Sequence, residues 1–310
     1  MKTDAARKLI LIAIIIIEIM IFSQEPRFLT AGSLFETLRN YTEIGIIAFG
    51  MTFIIMTRGI DLSLGSLIAL VSVTVGFTYQ AGVPFGISIV MGLLVGILGG
   101  AFNGFMIVKG KLHPFVVTLG TYSLYRGLSY AVTNAKAVSV FPGSFALLGR
   151  YYIGGVVPAQ LFIWAIIGVI IWIVFAKTPF GTYVSAIGYN EEAAKFSGIR
   201  SDRIKIAIYV LMGLLVGIAA IIYTSRLSTA RGNAAIGMEL NVIAAVVLGG
   251  TDIKGGKGTI GGTVLGVAIL AILNNGLTMI SVRGDWALFI TGIFILASIL
   301  LNRILGKNVE

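Results

Sequence analysis

Residues 177–205 read KTPFGTYVSAIGYNEEAAKFSGIRSDRIK and interrupt an otherwise apolar chain. They carry a group of basic side chains, namely Lys177, Lys195, Arg200, Arg203 and Lys205. A polar segment of this length is excluded from hydrocarbon, because its backbone and charges would find no hydrogen-bond partners there. Basic loops flank membrane spans on the cytoplasmic side, so we expect residues 177–205, which we call the basic segment, to face the cytoplasm.

The composition around the basic segment predicts an integral membrane protein. Of the 310 residues, 57% are hydrophobic and 12% are charged, whereas soluble domains have about 25% charged residues. The apolar runs are long and continuous, which is typical of membrane helices and not of the alternating strands of a barrel. The 40 glycines suit helices that pack closely in a membrane. The predicted fold class is therefore all-α, with a single polytopic membrane domain over residues 1–310.

About ten apolar stretches have the length of a membrane span or approach it. They are residues 10–22, 44–57, 62–79, 85–108, 114–132, 159–175, 206–223, 238–250, 260–280 and 286–301. The eighth is short and spans a bilayer only if part of it is buried within protein. Basic residues are about twice as frequent in the inner connections of this arrangement as elsewhere, which predicts cytoplasmic N- and C-termini.

The basic segment contains a stretch that favours helix. Residues 191–196 include good helix formers, and Gly198 is a predicted C-cap. The pattern Glu-Ala-Ala-x-x-x-Gly that starts at residue 192 resembles the coupling motif of bacterial ATP-binding cassette (ABC) importer permeases. In that family the loop helix docks in a groove of the ATP-binding subunit. The resemblance assigns this coupling role to Asn190, Glu192, Ala193, Ala194 and Gly198. By itself the pattern fits an ordinary solvated loop equally well.

Residues 58–66, RGIDLSLGS, form a second distinctive stretch. Gly59 allows a tight turn, and the Asp61 carboxylate can cap the helix that follows. A capped helix with an ion-paired Asp61 would account for the stretch without any further function. The stretch also resembles the Gly-Ile-Asp-Leu-Ser-x-Gly-Ser signature of sugar permeases in the ribose, xylose and arabinose group of ABC importers. Its counterparts here are Gly59, Asp61, Ser63 and Gly65.

The resemblance to these sugar permeases covers most of the chain. Residues 103–104, 111–121 and 186–199 match that group, although His113 stands where the group usually has Ile. Residues 237–261 match as well. They contain a second inner turn with Gly250, Asp252 and Gly255. This turn echoes the first, but a five-plus-five inverted repeat would place the two turns on opposite faces of the membrane, so shared turn chemistry is an open alternative.

The chain lacks the residues for a nucleotide, metal or hydrolytic site of its own. Around Gly256 and Lys257 the phosphate-loop pattern fails, because Gly258 stands where Ser or Thr is required. His113 is the only histidine and there are no cysteines, so neither a metal site nor a Ser-His-Asp triad can be assembled. The basic residues are spread over the loops without the patch that nucleic-acid binding needs. We therefore expect no enzyme activity, no cofactor and no nucleic-acid partner, with ATP bound by a separate subunit.

Polar residues inside apolar spans are functional candidates, because hydrocarbon makes them costly. Those that could line a sugar pathway are Asn103, Tyr122, Asn274 and Asn275. Hydrogen bonding between helices is the alternative explanation for each of them. Glu18 lies in the first span, where an ion-coupled secondary transporter would need a carboxylate.

The resemblance implies the permease subunit of an ABC importer that moves a monosaccharide into the cytoplasm. It further implies the bacterial inner membrane and its lipid, a second permease copy or paralogue, ABC ATPase subunits, and a periplasmic or lipid-anchored sugar-binding protein. Residues 25–39, 133–157, 224–239 and 281–285 are the expected outer loops for docking that protein. Two alternatives stay open: import of a furanosyl autoinducer-type molecule or nucleoside within the same class, and ion-coupled secondary sugar transport that depends on Glu18.

Overall fold

The computed structural model describes residues 2–287, 289–294 and 296, which are mainly helical. The helices are α1 (Lys2–Phe22), α2 (Ala31–Asn40), α3 (Thr42–Met56), α4 (Leu64–Gln80), α5 (Phe85–Val108), α6 (Pro114–Thr133), α7 (Phe145–Arg150), α8 (Gln160–Lys177), α9 (Pro179–Tyr189), α10 (Glu191–Phe196), α11 (Ser201–Leu227), α12 (Met238–Leu248) and α13 (Ile260–Met279). Strands β1 (Tyr152–Ile153) and β2 (Val157–Pro158) pair in an antiparallel hairpin. Residues 284–287 and 289–294 are also helical. The predicted tenth span, residues 286–301, lies largely outside the described residues.

Among the described residues, four helices are long and apolar enough to cross a membrane by themselves: α5, α8, α11 and α13. Helices α3, α4 and α12 are apolar but shorter. The prediction of an all-α membrane protein is confirmed. The count of ten spans and the side on which the termini lie stay predictions.

The core is built around α3, in which every residue is buried. Helices α8, α11, α12 and α13 pack against it. Helix α11 also packs along α5 at glycine positions. A Cβ on Gly100 would collide with the carbonyl oxygen of Tyr209, and one on Gly213 would collide with that of Gly96. These glycines therefore let the two backbones approach closely, as the composition predicts.

Two predicted loops contain helices. Part of residues 25–39 belongs to α2, which starts after Thr30; the Thr30 hydroxyl accepts a hydrogen bond from Ser33 N–H at 3.3 Å. The basic segment contains α9 in addition to the expected short helix, and α9 starts at Pro179 after its cap Thr178. Both starts follow ordinary capping chemistry. Neither α2 nor α9 was predicted, because the connections were assigned from composition and not from the caps.

The eighth predicted span, residues 238–250, is largely helix α12, and a non-helical segment precedes it. Helix α12 has 11 residues, about 16 Å of helix. Before it, Ala230 lies against Gly76 and Ala235 against Gly65. These glycines are three helical turns apart, about 16 Å along α4. Residues 229–237, which we call the broken segment, therefore descend through the molecule. The prediction that residues 224–239 form an exposed outer loop is wrong.

Candidate coupling site

Helix α10 forms where the basic segment predicts it, and Asn190 caps its N-terminus. Asn190 Oδ1 accepts a hydrogen bond from Ala193 N–H at 3.0 Å, as an N-cap residue does. Gly198 has a φ of +84°, and its N–H donates to the carbonyl oxygen of Lys195. This left-handed ending favours glycine, because a side chain there would be strained. The predicted helix is confirmed; its C-cap residue is Ser197, and Gly198 follows it in the left-handed conformation.

Ion pairs hold α10 against the start of α11. The Glu191 carboxylate accepts hydrogen bonds from Lys195 at 3.0 Å and from Lys205 of α11. Burial by itself raises the pKa of Glu191, but the hydrogen bonds from Lys205 and Lys195 outweigh it and hold the pKa below its usual value. The hydrogen bond to Glu191 raises the pKa of Lys195 in turn. Ala194 is the buried residue of α10, so one face of this helix packs against the rest of the protein.

The opposite face of α10 is exposed and carries a large aromatic ring. Phe196 is 92% exposed, and Glu192 and Ala193 are exposed beside it. An open groove runs next to this helix, and its lining includes Tyr183 and Arg203. Aromatic and arginine side chains are enriched in protein–protein interfaces. The arrangement therefore suits contact with a second protein.

Arg58 connects the turn between α3 and α4 to the end of α9. Its Nε donates to the carbonyl oxygen of Gly188 and its Nη2 to that of Tyr189, each at 2.7 Å. These two residues end α9 and immediately precede the cap Asn190. Hydrogen bonds from a charged guanidinium are stronger than those between neutral groups. The turn that follows α3 thus holds the base of α10.

The second inner turn joins the same contact. Gly256 N–H donates to the carbonyl oxygen of Met56 at 2.8 Å. A Cβ on Gly188 would collide with that oxygen and with the Gly256 nitrogen. Gly256 itself has a φ of +85°, which a side chain rarely tolerates. Three chain segments therefore meet backbone to backbone. We call this contact the glycine joint; it comprises residues 56–58, 188–189 and 255–256.

Asp61 is buried, but it does not cap α4 directly. Its Oδ1 accepts hydrogen bonds from the N–H of Ser63 at 2.8 Å and from the Ser63 hydroxyl at 2.6 Å, whereas α4 begins one residue later. The predicted cap is therefore wrong, and among the described residues Asp61 forms hydrogen bonds and no salt bridge. Asn103 donates to the Ser63 hydroxyl at 2.9 Å, and the Tyr125 hydroxyl lies 3.3 Å from Asn103 Oδ1. This chain of hydrogen bonds ties the turn to α5 and α6.

The second turn repeats this local chemistry. Asp252 Oδ1 accepts a hydrogen bond from the N–H two residues later, at 2.9 Å, just as Asp61 does. Gly250 and Gly255 have φ values of +91° and +87°. Gly59 is needed for a different reason, because a Cβ there would lie 2.9 Å from the Tyr209 hydroxyl oxygen. Both turns lie in the same contact region, which favours shared turn chemistry over an inverted repeat.

The four residues proposed to line a pathway do not converge. Asn103 is fully buried in the hydrogen-bond chain described above. Tyr122 lies under the guanidinium of Arg126, 5.6 Å from its ring centre. Asn274 hydrogen-bonds within α13, and Asn275 donates to a hydroxyl of α2 at 3.3 Å. Each residue makes contacts between or within helices, and a pathway role for any of them stays a prediction.

The capped, exposed helix α10 thus follows the end of α9, which contacts two turns of an apolar helical bundle. The family described as branched-chain amino acid transport system / permease component matches residues 33–299. The chain belongs to this permease family. The permease is thus a multi-pass membrane protein of a transport system, and its role is transport and not catalysis.

Characterised relatives cover nearly the whole permease. The ribose import permease protein RbsC of Bacillus subtilis (strain 168) is 43% identical over 94% of this chain and 91% of its own. The ribose import permease protein RbsC of Haemophilus influenzae is 36% identical over 96% and 93%, respectively. The D-allose transport system permease protein AlsC of Escherichia coli (strain K12) is 32% identical over 90% and 86%. No solved structure matches the permease significantly.

Proposed function

We propose that this permease is the membrane-spanning subunit of an ABC importer for a monosaccharide, and that α10 docks in the ATPase subunit. One observation carries the proposal: the exposed face of Glu192, Ala193 and Phe196 lies on a helix whose base is hydrogen-bonded to the bundle through Arg58. The ribose and D-allose permeases among its relatives support a monosaccharide as the substrate. Ribose is the first sugar to test.

The glycine joint supplies the mechanical step. ATP-driven closure of the ATPase would displace α10 and with it the end of α9. Backbones in direct contact leave little space to absorb such a displacement, because packed interiors are dense and barely compressible. The movement would therefore reach the turn after α3 through Arg58 and the turn before α13 through Gly256. The spans would then rock between outward-open and inward-open arrangements.

The proposal also covers the surroundings of the permease. Residues 1–310 form one domain with ten spans in the bacterial inner membrane, with both termini and the basic segment in the cytoplasm. A second permease copy or paralogue completes the pathway, and ATP is bound by the ATPase and not by this chain. A sugar-binding protein docks on the outside. Its surface is formed by residues 25–39, 133–157 and 281–285, without the broken segment.

The proposal is tested by capture of the ATPase from membranes and by sugar uptake in proteoliposomes. We expect the wild type to retain its ATPase, and Phe196→Ala or Gly198→Arg to lose it while the permease stays folded. Phe162→Ala is the matched control, since Phe162 is also exposed but lies on α8. Leucine serves as the control substrate, because the family description names branched-chain amino acids. The proposal is wrong if no ATPase is captured and ribose uptake persists without ATP.

A further inference from the structure

The broken segment is held by two buried charged side chains and, at Ala230, by backbone hydrogen bonds with Val138. Arg126 of α6 donates from Nη1 to the carbonyl oxygens of Gly232 and Ala234, each at 2.7 Å. The Gly237 N–H donates to a carboxylate oxygen of Glu239 at 3.2 Å. Both charged side chains are buried. They therefore bind backbone groups of the segment from within the protein.

The opposite side of the broken segment is exposed. Ile236 is 61% exposed and Leu240, one turn into α12, is 64% exposed; Asn233 is exposed as well. Within the part of the chain that the structure describes, the backbone N–H groups of Asn233 and Ile236 donate no hydrogen bond. The Asn233 amide lies between the levels of Gly76 and Gly65 on α4, a helix that the sequence predicts to cross the membrane, and the Ile236 amide follows directly after the Gly65 level.

Lipid cannot cover this surface. Non-helical backbone at membrane depth is tolerated only where it is buried in protein or lines a water-filled cavity, because an unpaired amide in hydrocarbon costs several kcal/mol. Water can accept hydrogen bonds from such amides whatever their spacing, and so can the hydroxyl groups of a sugar. A packed protein interface would instead need fixed acceptors opposite each amide.

We propose that Asn233, Ile236 and Leu240 line the water-filled path of a neutral, hydroxyl-rich solute through the permease. A side-chain amide and free backbone N–H groups match the hydroxyl groups of a sugar ring, and the two aliphatic side chains match its C–H faces. Burial of Arg126 and Glu239 leaves Arg231, next to Ala230 at one end, as the exposed charged residue of the broken segment. Broken helices commonly carry the substrate region of transporters. This inference rests on the proposed function, since it names the surface that the imported sugar meets.

The chain contains no cysteine, so single-cysteine variants give a direct test in the complete transporter. The variants are Asn233→Cys, Ile236→Cys and Leu240→Cys. The controls are Ile166→Cys and Val169→Cys on α8, whose native side chains are 59% and 55% exposed. We expect a charged methanethiosulfonate to modify the three test positions at least about tenfold faster than the controls, because the reactive thiolate forms where water reaches. Modification should also block ribose uptake.

Two results would overturn the inference. One is reactivity at all three test positions as slow as on α8, or modification that leaves uptake intact. The other is oxidative cross-linking of two permease copies through position 236 without reagent access, which would make this surface an interface between copies. ATP-dependent ribose uptake by the unmodified wild type is measured in parallel. Its absence would refute the proposed function separately, whatever the cysteines show.

Discussion

At the residue scale, Arg58 has the most specific assignment. The guanidinium binds two carbonyl oxygens at the end of α9, and its residue adopts a left-handed φ of +63°. A non-glycine residue in this region is uncommon and carries strain. The strain is offset by two charge-assisted hydrogen bonds, each worth about 1.5–3 kcal/mol. Arg58 is thus a positioning residue for the base of α10.

We predict that Arg58→Gln uncouples the transporter. Sugar uptake per ATP hydrolysed should fall at least roughly tenfold, because loss of one charged hydrogen bond already exceeds about 1.4 kcal/mol. Lys177→Gln is the matched control, since Lys177 is an exposed basic residue of the basic segment outside the groove beside α10. Uptake and ATP hydrolysis are measured together in proteoliposomes. If the two fall in equal proportion, Arg58 contributes only to assembly or stability.

Gly188 gives the second prediction at this scale. Gly188→Ala places a Cβ against the Met56 carbonyl oxygen and the Gly256 nitrogen, and such overpacking costs about 1–3 kcal/mol. We expect a lower midpoint of thermal unfolding in detergent. Gly120→Ala is the control, because no atom lies within 4 Å of its added Cβ. An unchanged midpoint for both variants would show that the glycine joint accommodates a Cβ without loss of stability, which contradicts the prediction.

At the element scale, α10 is too short to be stable by itself. Isolated helices below about 12–15 residues are marginal in water, and α10 has 6 residues. Its N-cap Asn190, the left-handed Gly198 and its ion pair to α11 therefore hold it in place. Helix α12 is also short, with 11 residues, and it too depends on packing against its neighbours for stability.

The lowered pKa of Glu191 predicts how α10 responds to acid. A carboxyl whose folded pKa lies below its usual value of 4.5 stabilises the fold above that value, and this contribution is lost as the pH falls through the folded pKa. We expect amide hydrogen exchange of residues 193–199 to be slower in the wild type than in Glu191→Gln at neutral pH. The effect is at most about 1 kcal/mol, since the pair is partly exposed.

The comparison is repeated at acidic pH, where the difference between wild type and Glu191→Gln should shrink as the carboxyl is protonated. Glu192→Gln is the control, because Glu192 is exposed on the free face of α10. A difference between wild type and Glu191→Gln that stays constant from neutral pH down to pH values well below 4.5 would contradict the assignment.

At the scale of the whole molecule, the energy source separates the proposed importer from an ion-coupled transporter. Glu18 is buried in α1, and neither carboxylate oxygen has a hydrogen-bond partner among the described residues. An ion-coupled mechanism would depend on such a group. ATP-driven uptake would not, because its free energy enters through α10.

We predict that Glu18→Gln preserves ATP-driven sugar uptake. Gln has nearly the shape of a protonated Glu, so packing in α1 should be unaffected. Uptake is measured in proteoliposomes with ATP on the ATPase side and with the proton gradient collapsed by a protonophore. Loss of uptake in the variant, together with sensitivity of the wild type to the protonophore, would instead support ion coupling.

Much of the molecule follows from local patterns. Length and apolar composition predicted the limits of α5 and α6 closely, and α10 was predicted from the helix formers in residues 191–196 and from Gly198 after them. Phe196 left only a weak signal, a single aromatic residue in a polar run. The sequence gives no signal for the hydrogen-bond partners of Arg58, because Gly188 is 130 positions away.

The membrane class, the permease family and the short helix α10 were determined by the sequence, since burial in lipid depends on composition and helix formation in a short segment depends on neighbouring residues. Only the tertiary structure decided where the helices meet. It brought Gly256 into contact with Met56 and Gly188. It linked Asp61 to Asn103 through the Ser63 hydroxyl. It also laid residues 229–237 along α4. These contacts join residues that are distant along the chain, and close packing selects them from many apolar surfaces that the sequence leaves equivalent.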